Sequence, residues 1–485
     1  MAKYWDRKFN IKLIVVVLLI LLLVFAFAFL FKKNNNNPID IFSCNLQVTA
    51  DSPSDMHLPI VVIDTHGQKL DENISKTTTT IDNIDFELYE NIPKYEADFK
   101  LYDSCTNTVI LEEKIIISLR GQSSLVNPKK QYGFTFIDEN QLEKKVEVLG
   151  LPSESKWILN GTYLDKTVMR NYLAYNIGSQ MMDYAPRSKY VEVYLNDTNE
   201  ELSYSKHFLG LYLITEKIER SKNRVNISKV DERYNDVSFI VARDKIKVDD
   251  KVYNTYYGNL EEDYILDINS DLKLRSVIKG VYPGKTTITD EYQEKITSYL
   301  NDFEVALYSA SFKDESIGYR KYIDVNSFID MALINEIFKN IDGCEVSAYF
   351  YKDIGGLLRA GPIWDFDLSL GNTDLAEVNE PTGFRMVNTI WFNRLFQDEY
   401  FSNMYKKRYQ YFRNSLLSDE SIIKMIDETM YQLSDASDRN YEMWYPTSIL
   451  NYSDEVNDMK DFLLERLSWM DKNIDNVYRY EEVID

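Results

Sequence analysis

The hydrophobic and polar positions divide the chain into an apolar lead, a β-rich middle and a helical remainder. Leu13 to Phe31 form an unbroken apolar run of 19 residues. At about 1.5 Å per residue, a helix of that length spans the hydrocarbon of a bilayer, which predicts a transmembrane helix over 13–31. No small-residue cleavage site follows it, so an uncleaved anchor is expected rather than a signal peptide. The polar stretch through Asn34 to Asn37 and Pro38 reads as a linker over 32–44. Residues 45–110 mix short β-rich runs such as Leu58 to Asp64 with polar turns, predicting a small β domain. Lys114 to Leu119 and Gln131 to Ile137, where Tyr132, Phe134 and Phe136 alternate, predict two strands broken by Arg120-Gly121-Gln122-Ser123-Ser124. Behind Asp165, a predicted N-cap, Val168, Met169, Tyr172, Leu173 and Ile177 recur at helical spacing as far as about Met182.

Strands over Tyr190 to Leu195 and Phe208 to Ile214 complete the middle, an order of strand, loop, strand, helix, strand, strand that suits a small α+β lobe over 111–216. Beyond residue 217 the pattern is mostly helical to residue 485. Helices are predicted near Ser327 to Lys339, Glu399 to Leu416, Ile422 to Leu433 and Tyr452 to Ile474, with a hairpin of Ala348 to Lys352 and Leu357 to Ala360. The fold class is α+β.

With 485 residues, 45% of them hydrophobic, the chain can bury a large core. Only 3 His and 3 Cys leave little material for His/Cys zinc sites or His relays, so acid–base chemistry falls to carboxylates. The net charge is −22, although the first 33 residues carry six Lys/Arg against one Asp, so the remainder is more acidic still. Such a surface repels phosphate backbones and excludes nucleic acid as the expected partner. Lys3, Arg7, Lys8 and Lys12 precede the apolar run and only Lys32 and Lys33 closely follow it. The positive-inside bias therefore leaves residues 1–12 in the cytoplasm and the globular part outside. There Cys44 and Cys105 are available to pair, leaving Cys344 single, although spacing alone establishes no bridge.

The motifs fall in a recognisable series: RGQSS at Arg120 to Ser124, PKKQY at Pro128 to Tyr132, LDKTVMRN at Leu164 to Asn171 and APRSKYVEVYLN at Ala185 to Asn196. GLYLITEKI at Gly210 to Ile218, KNIDG at Lys339 to Gly343 and GPIWDFDLSLGN at Gly361 to Asn372 continue it. In this order they resemble the CotH kinase family, secreted or spore-coat-associated proteins with an atypical protein-kinase fold. The resemblance implies a two-lobed molecule that binds ATP with Mg2+ or Mn2+ in its cleft. It also implies phosphate transfer to Ser or Thr of a protein substrate, here expected to be basic and Ser-rich.

On that resemblance, Arg120 faces the phosphates, and one of Lys129 and Lys130 reaches them, since the transferring group's charge must be neutralised. Alternation puts Lys130 on the side of Tyr132, while the family pattern holds Lys129, and the choice stays open. Arg170 is expected to face the cleft, and Glu216 to sit at the hinge that holds adenine. Asp342 resembles the base that orients the alcohol and takes its proton. Asp365 and Asp367, two apart around Phe366 in a segment read as extended, would point the same way and repel unless a cation joined them; oxygen donors suit magnesium or manganese. Ser347 stands where protein kinases place a metal-binding Asn, and Gln122 where Asn is common in the first motif. Ser347 therefore favours the alternative of a non-catalytic surface adhesin or scaffold, or a nucleotide-binding pseudokinase. A two-carboxylate glycoside hydrolase has the acids but no supporting motif.

Overall fold

The computed structural model describes residues 58–479, apart from 82–83, 104–105, 107, 122, 232, 246–249, 257–263, 267–272, 285 and 376–377. The apolar run Leu13 to Phe31, its flanking charges, Cys44, Cys105 and Gln122 lie outside the described residues. Among the described residues no helix is long and apolar enough to cross a membrane.

The first half is built on strands β1 (Ile60–Asp64), β2 (Ser75–Ile81), β3 (Ile84–Glu90), β4 (Tyr95–Tyr102), β5 (Val109–Leu119), β6 (Tyr132–Ile137), β7 (Val146–Val148), β8 (Leu151–Glu154) and β9 (Lys156–Asn160). Helix α1 (Arg170–Met181), strand β10 (Ser188–Asn196), the one-turn α2 (Tyr204–His207) and strand β11 (Phe208–Glu216) complete it. Seven strands close a barrel in the order β1-β10-β11-β9-β6-β5-β4. The segment read as a small β domain therefore shares its β1 and β4 with this barrel: β1 lies parallel to β10 and antiparallel to β4. The alternation that marked the strands fills the barrel, with Ile115, Ile117, Phe134, Phe136, Trp157, Val191, Val193, Tyr212 and Ile214 all turned inward.

Strands β10 and β11 are buried on both faces. Val191 and Tyr212 point into the barrel, while Tyr190, Leu211 and Leu213 join the second core with the helices. Helix α1 begins at Arg170, five residues after the expected cap. Val168 takes φ 54°, which interrupts helical geometry, and the Asp165 carboxylate accepts from the Thr167 and Arg170 amides across that turn.

The second half has a sheet of β12 (Phe239–Lys245), β13 (Tyr264–Leu266), β14 (Lys273–Tyr282), β15 (Ala348–Lys352) and β16 (Arg359–Ala360), in the order β13-β14-β12-β15-β16. Around it lie α3 (Asp290–Tyr308), α4 (Val325–Ile337), α5 (Phe392–Leu395), α6 (Glu399–Arg413), α7 (Asp419–Trp444) and α8 (Tyr452–Asn473). Helix α7 runs far past the expected Leu433 because its last turns carry polar groups that dock on the barrel. Arg439 makes a bidentate pair with Glu192 at 2.7 and 2.8 Å, Asn440 Oδ1 accepts from Leu211 N–H, and Trp444 Nε1–H donates to the Leu209 carbonyl. Gly210, at φ 91°, allows the approach, since a Cβ there would lie 2.6 Å from Asn440 Oδ1.

Candidate functional site

Three aspartates far apart in sequence converge where the helical part meets the barrel. Asp342 lies in the turn after α4, and Asp365 and Asp367 lie in the loop after β16. The loop is not extended, contrary to the sequence expectation: Asp365 takes a left-handed φ of 68°, and a turn rather than strand alternation brings the two carboxyls together. Lys339, Cys344, Ser347 and Leu370 share that left-handed conformation, so the chain turns tightly both before β15 and after β16.

Asn340 joins the two loops. Its Oδ1 accepts from Asp342 N–H at 3.3 Å, and its Nδ2 donates to Asn335 Oδ1 at 3.1 Å and to the Asp365 carbonyl at 3.4 Å. Ser347 Oγ donates to Asp365 Oδ2 at 3.3 Å. The carboxyls open partly to water yet are walled by protein, and this enclosure governs their ionisation. Enclosure and then Asp365 push the Asp342 carboxyl up to about 7, against Lys245. Enclosure raises Asp365 too, with Arg120 pulling the other way. It raises Asp367 well above the carboxylate range, followed by Asp365, Asp165 and Asp342.

Such a group favours one added positive charge. Two carboxylates and a hydroxyl are hard oxygen donors of the kind Mg2+ or Mn2+ accepts, and Mg2+ commonly takes its other ligands from water and phosphate. Among the described residues no three or more His, Cys, Asp or Glu side chains form a ready metal cage. Asp365 and Asp367, with the Ser347 hydroxyl on Asp365, offer oxygen donors of the kind such a cation would accept.

Arg120, at the end of β5, faces this point. Its guanidinium lies 5.2 Å from the Trp364 ring centroid, and Trp364 stacks on Tyr175 at 5.8 Å. The other cations expected here are held elsewhere. Lys129 is buried, donating to the Leu211 carbonyl and to Asn440 Oδ1 at 2.8 Å, with Nζ 4.7 Å from the Tyr212 ring centroid. Lys130 donates to the Leu125 carbonyl at 2.6 Å and lines a cavity of about 190 Å³ with Asp71, Tyr132, Asp197 and Trp444. Both lysines precede β6, which starts at Tyr132.

Glu216, at the end of β11, is fully buried under Arg187, whose Nε and Nη2 donate to its two oxygens at 2.9 and 2.7 Å; Tyr184 adds a hydroxyl at 3.2 Å. Its side chain is committed to that ion pair. Arg170 is also buried rather than cleft-facing, donating to Asp165 Oδ1 at 2.6 Å and to the Ser369 carbonyl at 2.8 Å.

The sequence reading passed over Asp244 and Lys245, which end β12 and act electrostatically on both Asp342 and Asp365. Their charged neighbourhood resembles a solvated strand end and gives no local signal. Asn340, by contrast, stood inside the KNIDG motif beside Asp342.

Two comparisons bear on this arrangement. The family model described as CotH kinase protein matches residues 117–470. No curated protein matches the chain.

Proposed function

From the premise that the chain belongs to the CotH kinase protein family, we propose that it is a membrane-anchored atypical kinase that transfers the γ-phosphate of ATP to Ser or Thr of a basic protein outside the cytoplasm. The observation that carries this reading is the meeting of Asp342, Asp365, Asp367, Ser347 and Arg120 in one partly enclosed place.

Asp342 takes the proton of the attacking hydroxyl, for which a carboxyl near pH 7 is well matched. Asp365 and Asp367, with Ser347, hold a Mg2+ or Mn2+ ion, which supplies charge neutralisation at the phosphates. Arg120 adds positive charge from the barrel side. The apolar run Leu13 to Phe31 supplies the anchor, with the N-terminus cytoplasmic.

A second reading, a nucleotide-binding protein or surface scaffold without transfer, draws on two observations. Serine replaces the expected metal-binding Asn at 347, and the Lys129 ammonium is bound inside the protein. The full chain in detergent, given γ-labelled ATP, Mg2+ or Mn2+ and a basic Ser-rich protein, decides between them. Transfer that falls at least a thousandfold in Asp342→Asn is the expected result. Thermal stabilisation by ATP and metal without transfer selects the second reading, and neither effect overturns both nucleotide readings.

A further inference from the structure

Helix α1 presents one face to the loop that carries the two aspartates. Asn171, Tyr175 and Gly178 follow one another at helical spacing along that face. Asn171 Oδ1 accepts from Phe366 N–H at 2.7 Å, between Asp365 and Asp367. The Tyr175 hydroxyl meets Asp365 N–H at 3.5 Å while its ring stacks on Trp364. Gly178 leaves room for Ile363, whose Cδ1 would lie 2.6 Å from any Cβ there. At the far end of the loop Arg170 donates to the Ser369 carbonyl at 2.8 Å and the Leu370 carbonyl at 3.3 Å. The left-handed Asp365 and Leu370 adopt backbone conformations that persist only where surroundings over-determine them, and α1 supplies those surroundings.

We propose that Asn171 is the positioning residue of the candidate cation site: by holding Phe366 N–H it fixes the turn on which Asp365 and Asp367 meet. The inference rests on the cation reading above. Asn171 is 1% exposed, and its Nδ2 has no partner among the described residues, so its one hydrogen bond through the side chain is the bond to this loop. An amide suits the place because it accepts a backbone N–H without adding a further negative charge beside Asp165 and Asp367.

The test measures hydrogen exchange in the metal-free full chain and Mn2+ affinity by paramagnetic resonance titration. In Asn171→Ala, peptides spanning 364–370 exchange at least tenfold faster and the Mn2+ dissociation constant rises at least tenfold. Asn171→Asp keeps an acceptor for Phe366 N–H but adds the charge that the amide avoids, so it restores only part of the exchange protection, and more of it as pH falls. Asn176→Ala, which removes an amide bonded within the helix to the Tyr172 carbonyl, leaves both readouts as in the wild type. Unchanged exchange in Asn171→Ala overturns the clamp, and faster exchange with unchanged Mn2+ affinity overturns the positioning role. A wild-type protein that takes up no Mn2+ defeats the cation reading alone, and the exchange arm still decides whether Asn171 holds the turn.

Discussion

Lys129 places an amine inside the protein with two acceptors and an aromatic face around it, and burial lowers its pKa well below the ordinary lysine value. At pH below the native pKa both folded and unfolded chains hold the proton, and folding bears the full burial cost. As pH rises from there toward about 10.4, the unfolded chain binds more protons than the native one, so stability climbs. Urea unfolding at pH 7 and pH 9.5 is expected to show the wild type gaining on Lys129→Met as pH rises; parallel behaviour of the two proteins would refute it. The same residue marks how far single positions were legible. Asp365 and Asp367 stood out because a pair of acids in an apolar setting beside Trp364 and glycines signals held carboxylates, whereas Asp342 stood out only through the family resemblance, an Asp-Gly pair alone being an ordinary turn. The lysines did not, because the group that claims Lys129 is Asn440, 311 residues later. Glu216 is likewise claimed by Arg187 across a strand pair, which no local pattern announces.

Strands were legible where apolar and polar positions alternate, or where a buried apolar run is long, as in β10 and β11. Both β5 and β6 alternate; β6 stood out to within one residue but β5 only over its last six, Lys114 to Leu119, whereas β9, buried along most of its length, shows no alternation and gives no signal. The pattern of helix α7 predicts an end near Leu433 because its docking turn is polar, and in a helix pattern polar residues mark the solvent side. Arg439 and Glu192 are both almost wholly buried and paired. Arg439→Met alone leaves a buried carboxylate without its guanidinium and is expected to cost about 3–5 kcal/mol. Arg439→Met with Glu192→Met is expected to recover most of it, since two apolar groups replace two charges. Chemical denaturation of the two variants checks this, and equal losses would mean that the pair contributes only its packing.

Across the whole molecule, the α+β class and the order of β5, β6, α1, β10 and β11 followed from periodicity, but β9 and barrel closure did not. Closure depends on β1 lying parallel to β10, a pairing across about 130 residues with no turn to signal it. The charge of −22 acts at this scale as well. If the substrate is basic, its KM rises with ionic strength as the attraction is screened, while that of a neutral Ser peptide stays level. A flat salt profile for the basic protein would argue against electrostatic recruitment.

Helix α7 belongs to the helical part yet is riveted to the barrel through Arg439, Asn440 and Trp444. Any gaping of the two halves would have to pull a guanidinium from its carboxylate in a dry interior. That seam therefore resists separation, because parting it leaves two charges without partners in a place that water does not reach.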